Sequence, residues 1–132
     1  MTRGQELALW QLREIAASGE HSLDIESVIK PGENTTSLIL QISLRIGPIP
    51  FREGGLILRE RESFVLSIPA TFPLKKPEVA VPHRRFAGYA HVQWTNHLCL
   101  YQSSSEWNPS DGIFGLLDRL IWWIKQGALN QL

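Results

Sequence analysis

Near the start of the chain, apolar side chains recur at spacings of three and four. Ala8, Leu12, Ile15 and Ala16 fall on one stripe while Arg13 and Glu14 face away, which predicts a helix from Thr2 to about Ser18. Thr2 followed three residues later by Gln5 has the form of a capping box, and Gly19 supplies a stop. The period then falls to two. Leu23 and Ile25, then Val28 and Ile29 after a skipped position, predict a first strand closed by the turn cluster Lys30-Pro31-Gly32-Glu33-Asn34. Leu38, Leu40, Ile42, Leu44 and Ile46 alternate with mostly polar neighbours and predict a second strand with one buried face. A third runs from Leu56 to Ile68, with Arg59-Glu60-Arg61-Glu62 as a solvated charge run within it. Short connections between successive strands imply an antiparallel meander of three or four strands.

After Ile68 the texture changes. Pro69, Pro73, Pro77 and Pro82 deny the backbone several ladder donors, so only Glu78 to Val81 has room for a short edge strand and the rest forms a proline-rich flap. From His83 to Ser105 no period persists, yet Phe86, Tyr89, Trp94 and Tyr101 supply too much apolar surface for a disordered segment. An ordered irregular stretch of this length in a small domain points to function. A closing helix follows, with Asn108 as N-cap, Pro109 at the first position, Asp111 in the first turn and Gly127 beyond the end. Its apolar residues cover more than one stripe, which implies burial on two sides.

These elements make a single α+β domain over residues 1–132, and an apolar fraction of 43% is enough for one core. Thirteen basic and thirteen acidic side chains cancel, so no net field attracts nucleic acid or an anionic membrane, and neither is expected as a partner. The longest apolar cluster, Ile113 to Ile124, is too short to cross a bilayer, and the N-terminus lacks the apolar core of a signal peptide. The single cysteine, Cys99, excludes a disulfide framework and zinc sites built on two or more thiolates; it points to a reducing, cytoplasmic compartment.

Candidate chemistry gathers in the irregular stretch. Cys99 lies between Leu98 and Leu100, a setting that suits a small core residue more often than a nucleophile. His91, Asn96 and His97 stand close by in sequence, and Ser103, Ser104 and Trp107 follow. Hydrolysis at a metal is disfavoured, because the three possible ligands His91, His97 and Cys99 come without a His-x-Glu and Cys-x-x-Cys pattern. A papain-like hydrolase would need its histidine far downstream of the cysteine, and no histidine follows Cys99. No metal or organic cofactor is expected.

The order of these features carries more than any one of them. Phe64 to Pro69, then Phe72-Pro73-Leu74-Lys75-Lys76-Pro77-Glu78-Val79, then His91, Leu98-Cys99-Leu100 and Trp107-Asn108-Pro109 before an apolar helix resemble the ubiquitin-conjugating enzymes along essentially the whole chain. The eight-residue step from Cys99 to Trp107 matches that family's spacing. Two departures stand out. His91-Val92-Gln93 replaces the family's His-Pro-Asn, with Asn96 and His97 nearer the cysteine, and the chain stops soon after the closing helix, without the two C-terminal helices of eukaryotic members. In this it is similar to the short bacterial conjugating-enzyme-like proteins, some of them encoded in anti-phage operons beside a cyclic-oligonucleotide synthase.

The resemblance implies an acyl carrier that holds a protein C-terminus as a thioester on Cys99 and passes it to an amine. His97 and His91 are then the proton-handling candidates, Asn96 is the candidate donor to the tetrahedral oxygen, and Tyr101, Ser103, Ser104 and Trp107 are candidates for the groove that holds the donor tail. The implied partner is a protein with a free C-terminus, either a cyclic-oligonucleotide synthase or a ubiquitin-like protein, and an activating enzyme is a further partner that this chemistry admits. The alternative is an inactive conjugating-enzyme or RWD-like binding module, with Cys99 buried and Phe86, Trp122 and Trp123 forming a docking face.

Overall fold

The computed structural model describes residues 1–132. Helix α1 (Arg3–Ser18) opens on the expected capping box: the Thr2 hydroxyl accepts from Gln5 N–H and the Gln5 side chain accepts from Thr2 N–H, while Gly19 closes the helix in the left-handed conformation. Gln5 is also buried, and its Nε2 donates to Thr36 O and Ile68 O at 2.7 and 3.0 Å. The capping residue thus fastens the helix to the sheet.

Four antiparallel strands follow in sequence order: β1 (Asp24–Ile29), β2 (Leu38–Arg45), β3 (Arg61–Ile68) and β4 (Glu78–Ala80). The skipped position in the first strand is a bulge, since the register shifts between Ile25 and Ser27. Leu38, Leu40, Ile42 and Leu44 of β2 and Phe64, Leu66 and Ile68 of β3 are buried at alternate positions. They share one apolar cluster with Ala8, Leu9, Leu12 and Ile15 of α1 and with Ile113, Leu116, Leu120, Trp123 and Ile124 of helix α2 (Gly112–Ala128). Burying each such side chain contributes about 1.5–3 kcal/mol.

The third strand is shorter than its apolar pattern suggests, beginning at Arg61 instead of Leu56. Backbone donors of the preceding segment are spent elsewhere: Arg52 N–H and Leu56 N–H donate to Ala128 O and Gly127 O at 2.8 and 2.9 Å, which satisfies carbonyls left open at the end of α2. Gly127 accordingly sits inside the last turn, not beyond it. The approach is so close that a Cβ on Gly55 would lie 2.1 Å from Ala128 O. Gly55→Ala is therefore expected to cost about 1–3 kcal/mol as the two backbones separate, read as a lower denaturation midpoint.

The closing helix also starts later than its cap residue implies. Asn108 accepts from Ser110 N–H at 3.0 Å and caps a 3₁₀ turn over Pro109–Asp111, while α2 begins at Gly112, where φ is 58°. The amide oxygen of Gln11, from α1, takes the Ile113 N–H at 2.9 Å and would lie 2.7 Å from a Cβ on Gly112. α2 buries one broad face and leaves Phe114 and Trp122 half exposed to solvent. It is the last element within the 132 residues, and no helix is long and apolar enough to cross a membrane.

Candidate active site

The segment after β4 folds back on the sheet edge and then on itself. Leu98 N–H donates to Val79 O at 2.8 Å and Val81 N–H to Asn96 O at 3.1 Å, so residues 96–98 lie along β4. A second return pairs Val92 with Leu98, with Cys99 N–H donating to His91 O at 2.8 Å and Gln93 N–H to His97 O at 2.9 Å. Tight reversal needs left-handed backbone at His91 (φ 60°) and Asn96 (φ 66°), two residue types that tolerate it better than most. Leu98 and Leu100 point into the core, so the residue between them turns outward and Cys99 is half-buried. The apolar triplet thus presents the thiol instead of hiding it.

Gln93 Nε2 lies 3.7 Å from Cys99 Sγ. Behind it, Gln93 Oε1 lies 3.5 Å from Thr95 Oγ1, which is 2.8 Å from His97 Nδ1. The sulfur opens on a groove of about 170 Å³ whose walls include His91, Arg119, Trp122, Gln131 and Leu132. Arg119 fixes one wall: its Nε donates to Leu100 O at 2.6 Å, its guanidinium stands 5.2 Å over the Tyr101 ring and 5.1 Å over Trp122, and it pairs with Glu106 at 2.9 Å. A larger hollow of about 500 Å³, bounded by residues 47–49 and 51–58, Tyr89 and Ala128, contains no cysteine or histidine.

Of the residues given a catalytic role in the sequence, the structure brings only His91 into the groove with Cys99; Trp122 and Trp123, assigned there to a docking face, also line it. His97 reaches the sulfur by way of Thr95 and Gln93, and the Asn96 side chain makes no hydrogen bond to the cysteine, while its backbone carbonyl accepts from Val81 N–H. Trp107 is buried, with Nε1 donating to Pro73 O at 2.8 Å and its ring edge-on to Tyr101 at 5.7 Å. It pins the proline-rich flap and does not line the groove. Tyr101 is held between Trp107 and Arg119, and burial pushes its phenol above the usual value against the opposing pull of Arg119. Ser103 hydrogen-bonds Ser105 at 2.7 Å and Ser104 opens a 3₁₀ turn, so neither serine belongs to the groove wall.

Sequence proximity passed over Gln93. Its signal lay in the third position of His91-Val92-Gln93, where a primary amide stands in for asparagine. The charge run is a second correction: Glu62 is 1% exposed and pairs with Arg85 Nη2 through both carboxylate oxygens. His83 Nε2 lies 2.9 Å from the same Arg85 nitrogen, and burial, then the Arg85 charge, lower its pKa.

The model of prokaryotic E2 family A matches residues 22–132. Among solved structures, the human ubiquitin-conjugating enzyme E2 G1 superimposes with a TM-score of 0.61 at 18% identity, over 92% of this chain and 94% of that one. Identity that low speaks for the fold alone, which is that of ubiquitin-conjugating enzymes. A complex of the Vps23 UEV with ubiquitin matches at a TM-score of 0.42 and 12% identity, over 89% of this chain and 90% of that one. No curated protein matches the chain in sequence.

Proposed function

Because the chain belongs to prokaryotic E2 family A, we propose that it carries an acyl group as a thioester on Cys99 and delivers it to an amine. The observation that carries this reading is the half-buried Cys99 sulfur in an open groove with a primary amide nitrogen 3.7 Å away.

The chemistry balances simply. The Cys99 thiolate attacks the carbonyl of an activated donor C-terminus, and the activating group leaves as the C–S bond forms. An amine then attacks the thioester carbonyl, the C–N bond forms, and the Cys99 sulfur departs as thiolate while the amine's proton passes to a base. His91, in the groove, is the base candidate within reach of an incoming amine. Each attack creates a tetrahedral oxyanion next to the sulfur, where the Gln93 amide offers the donor. Gln93→Ala is expected to slow single-turnover transfer roughly tenfold to a thousandfold while leaving Cys99 alkylation by iodoacetamide within a few fold.

A cyclic-oligonucleotide synthase or a ubiquitin-like protein supplies the donor C-terminus in this reading, and a separate activating enzyme supplies the energy. Mass spectrometry of the wild-type protein co-expressed with each candidate donor and an activating enzyme tests it. A mass increase on Cys99 that dithiothreitol removes is expected, and none with any donor would overturn the reading. The binding-module alternative loses the surface assigned to it: Phe86 and Trp123 are 0% and 1% exposed, and only Trp122, at 50%, remains available.

A further inference from the structure

The geometry points to Thr95 and His97 as positioning residues that orient the Gln93 amide on the Cys99 sulfur through a chain of hydrogen bonds, an inference that rests on the thioester reading above.

A primary amide is useful to the sulfur, and to an oxyanion beside it, in only one of its two orientations. With Nε2 forward it donates; with Oε1 forward it places a lone pair against developing negative charge. The partner behind the amide decides between them. Thr95 Oγ1, 3.5 Å from Gln93 Oε1, has a single proton, and giving it to that oxygen keeps the carbonyl turned back and Nε2 turned toward Cys99. The Thr95 oxygen must then accept, and His97 Nδ1 at 2.8 Å is the donor available to it. Both the neutral imidazole with its proton on Nδ1 and the imidazolium can supply that bond. Donors run in one direction: His97 to Thr95, Thr95 to Gln93, Gln93 to sulfur.

The backbone holds the three side chains in order. Gln93 N–H to His97 O and Asn96 N–H to Gln93 O, both 2.9 Å, close the turn that carries them. His97 is further held where the segment bridges to Ala80 at the sheet edge. The histidine nearest the cysteine in sequence thus acts on it at two removes, without touching the reacting atoms.

Thr95→Val, Thr95→Ser, His97→Ala and the double variant Thr95→Val/His97→Ala test the chain in the full-length protein, by single-turnover thioester transfer and by iodoacetamide alkylation of Cys99 at pH 7. Thr95→Val is expected to slow transfer about tenfold and alkylation about two- to fivefold. Thr95→Ser restores both rates to within about twofold, because it returns the hydroxyl. His97→Ala slows transfer only while Thr95 is present, so the double variant matches Thr95→Val. Wild-type rates in Thr95→Val, failure of serine to rescue, or additive losses in the double variant would overturn the chain. If the wild type forms no thioester with any donor while alkylation still falls with valine and recovers with serine, the chain stands and the thioester reading fails. Thioester formation at full rate in Thr95→Val has the opposite meaning.

Discussion

Cys99→Ala is expected to abolish acyl transfer outright, with a rate loss of at least about a thousandfold, because no other cysteine exists to accept the acyl group. The loss should be chemical, not structural: the side chain is half-buried, its Sγ contacts one exposed amide, and the flanking Leu98 and Leu100 supply the packing. Thermal unfolding should therefore shift by no more than about 1 kcal/mol. Cys99→Ser separates transfer from mere docking, since an oxygen ester forms at the same place but resists both dithiothreitol and amines; Cys99→Lys would trap the donor as an amide. Unchanged transfer in Cys99→Ala would show that the acyl group does not pass through this sulfur and would overturn the thioester.

Glu62→Ala is expected to have the largest effect on stability, about 3 kcal/mol and a fall of roughly 10 °C in melting temperature. Glu62 is the innermost charge of the sheet, and both its oxygens are spent on Arg85. Removing it leaves the guanidinium, itself only 27% exposed, with the Ile57 carbonyl at 3.3 Å and the His83 ring as its remaining polar partners. The cost comes from stranding that charge more than from losing a favourable bond. Replacing both partners by apolar residues, as in Glu62→Leu/Arg85→Met, should accordingly recover much of the loss, and guanidinium denaturation of the three proteins measures it. A Glu62→Ala variant as stable as wild type would mean that Arg85 finds water when its partner is gone. Because this pair ties β3 to the segment leading to His91, Glu62→Ala should also slow transfer, while Cys99→Ala leaves the fold as it was.

Much of this fold is written in local pattern. The Thr2–Gln5 capping box, the period-three stripe of α1, the alternation of β2 and the bulge in β1 depend on residues a few positions apart, so periodicity and side-chain chemistry disclose them. The order of prolines, cysteine and tryptophan likewise marked the family before any contact was known. Where local pattern and structure differ, a distant partner takes over a local group. β3 starts late because the N–H groups of Arg52 and Leu56 serve α2; Glu62 is buried because Arg85, twenty-three residues later, comes to meet it; Trp107 leaves the groove because its indole finds the Pro73 carbonyl.

The site divides along the same line. That the sole thiol is the nucleophile candidate, and that imidazoles and amides surround it in sequence, could be read from the chain alone. Which amide reaches the sulfur could not, because separation in sequence stops measuring distance once the backbone reverses at His91 and Asn96. The hairpin-like return pairs Cys99 with His91, six positions further from it than His97, and lays Gln93 across the sulfur. The residue types were fixed by sequence; their assignment to the sulfur was made by tertiary hydrogen bonds, which depend on where the backbone turns.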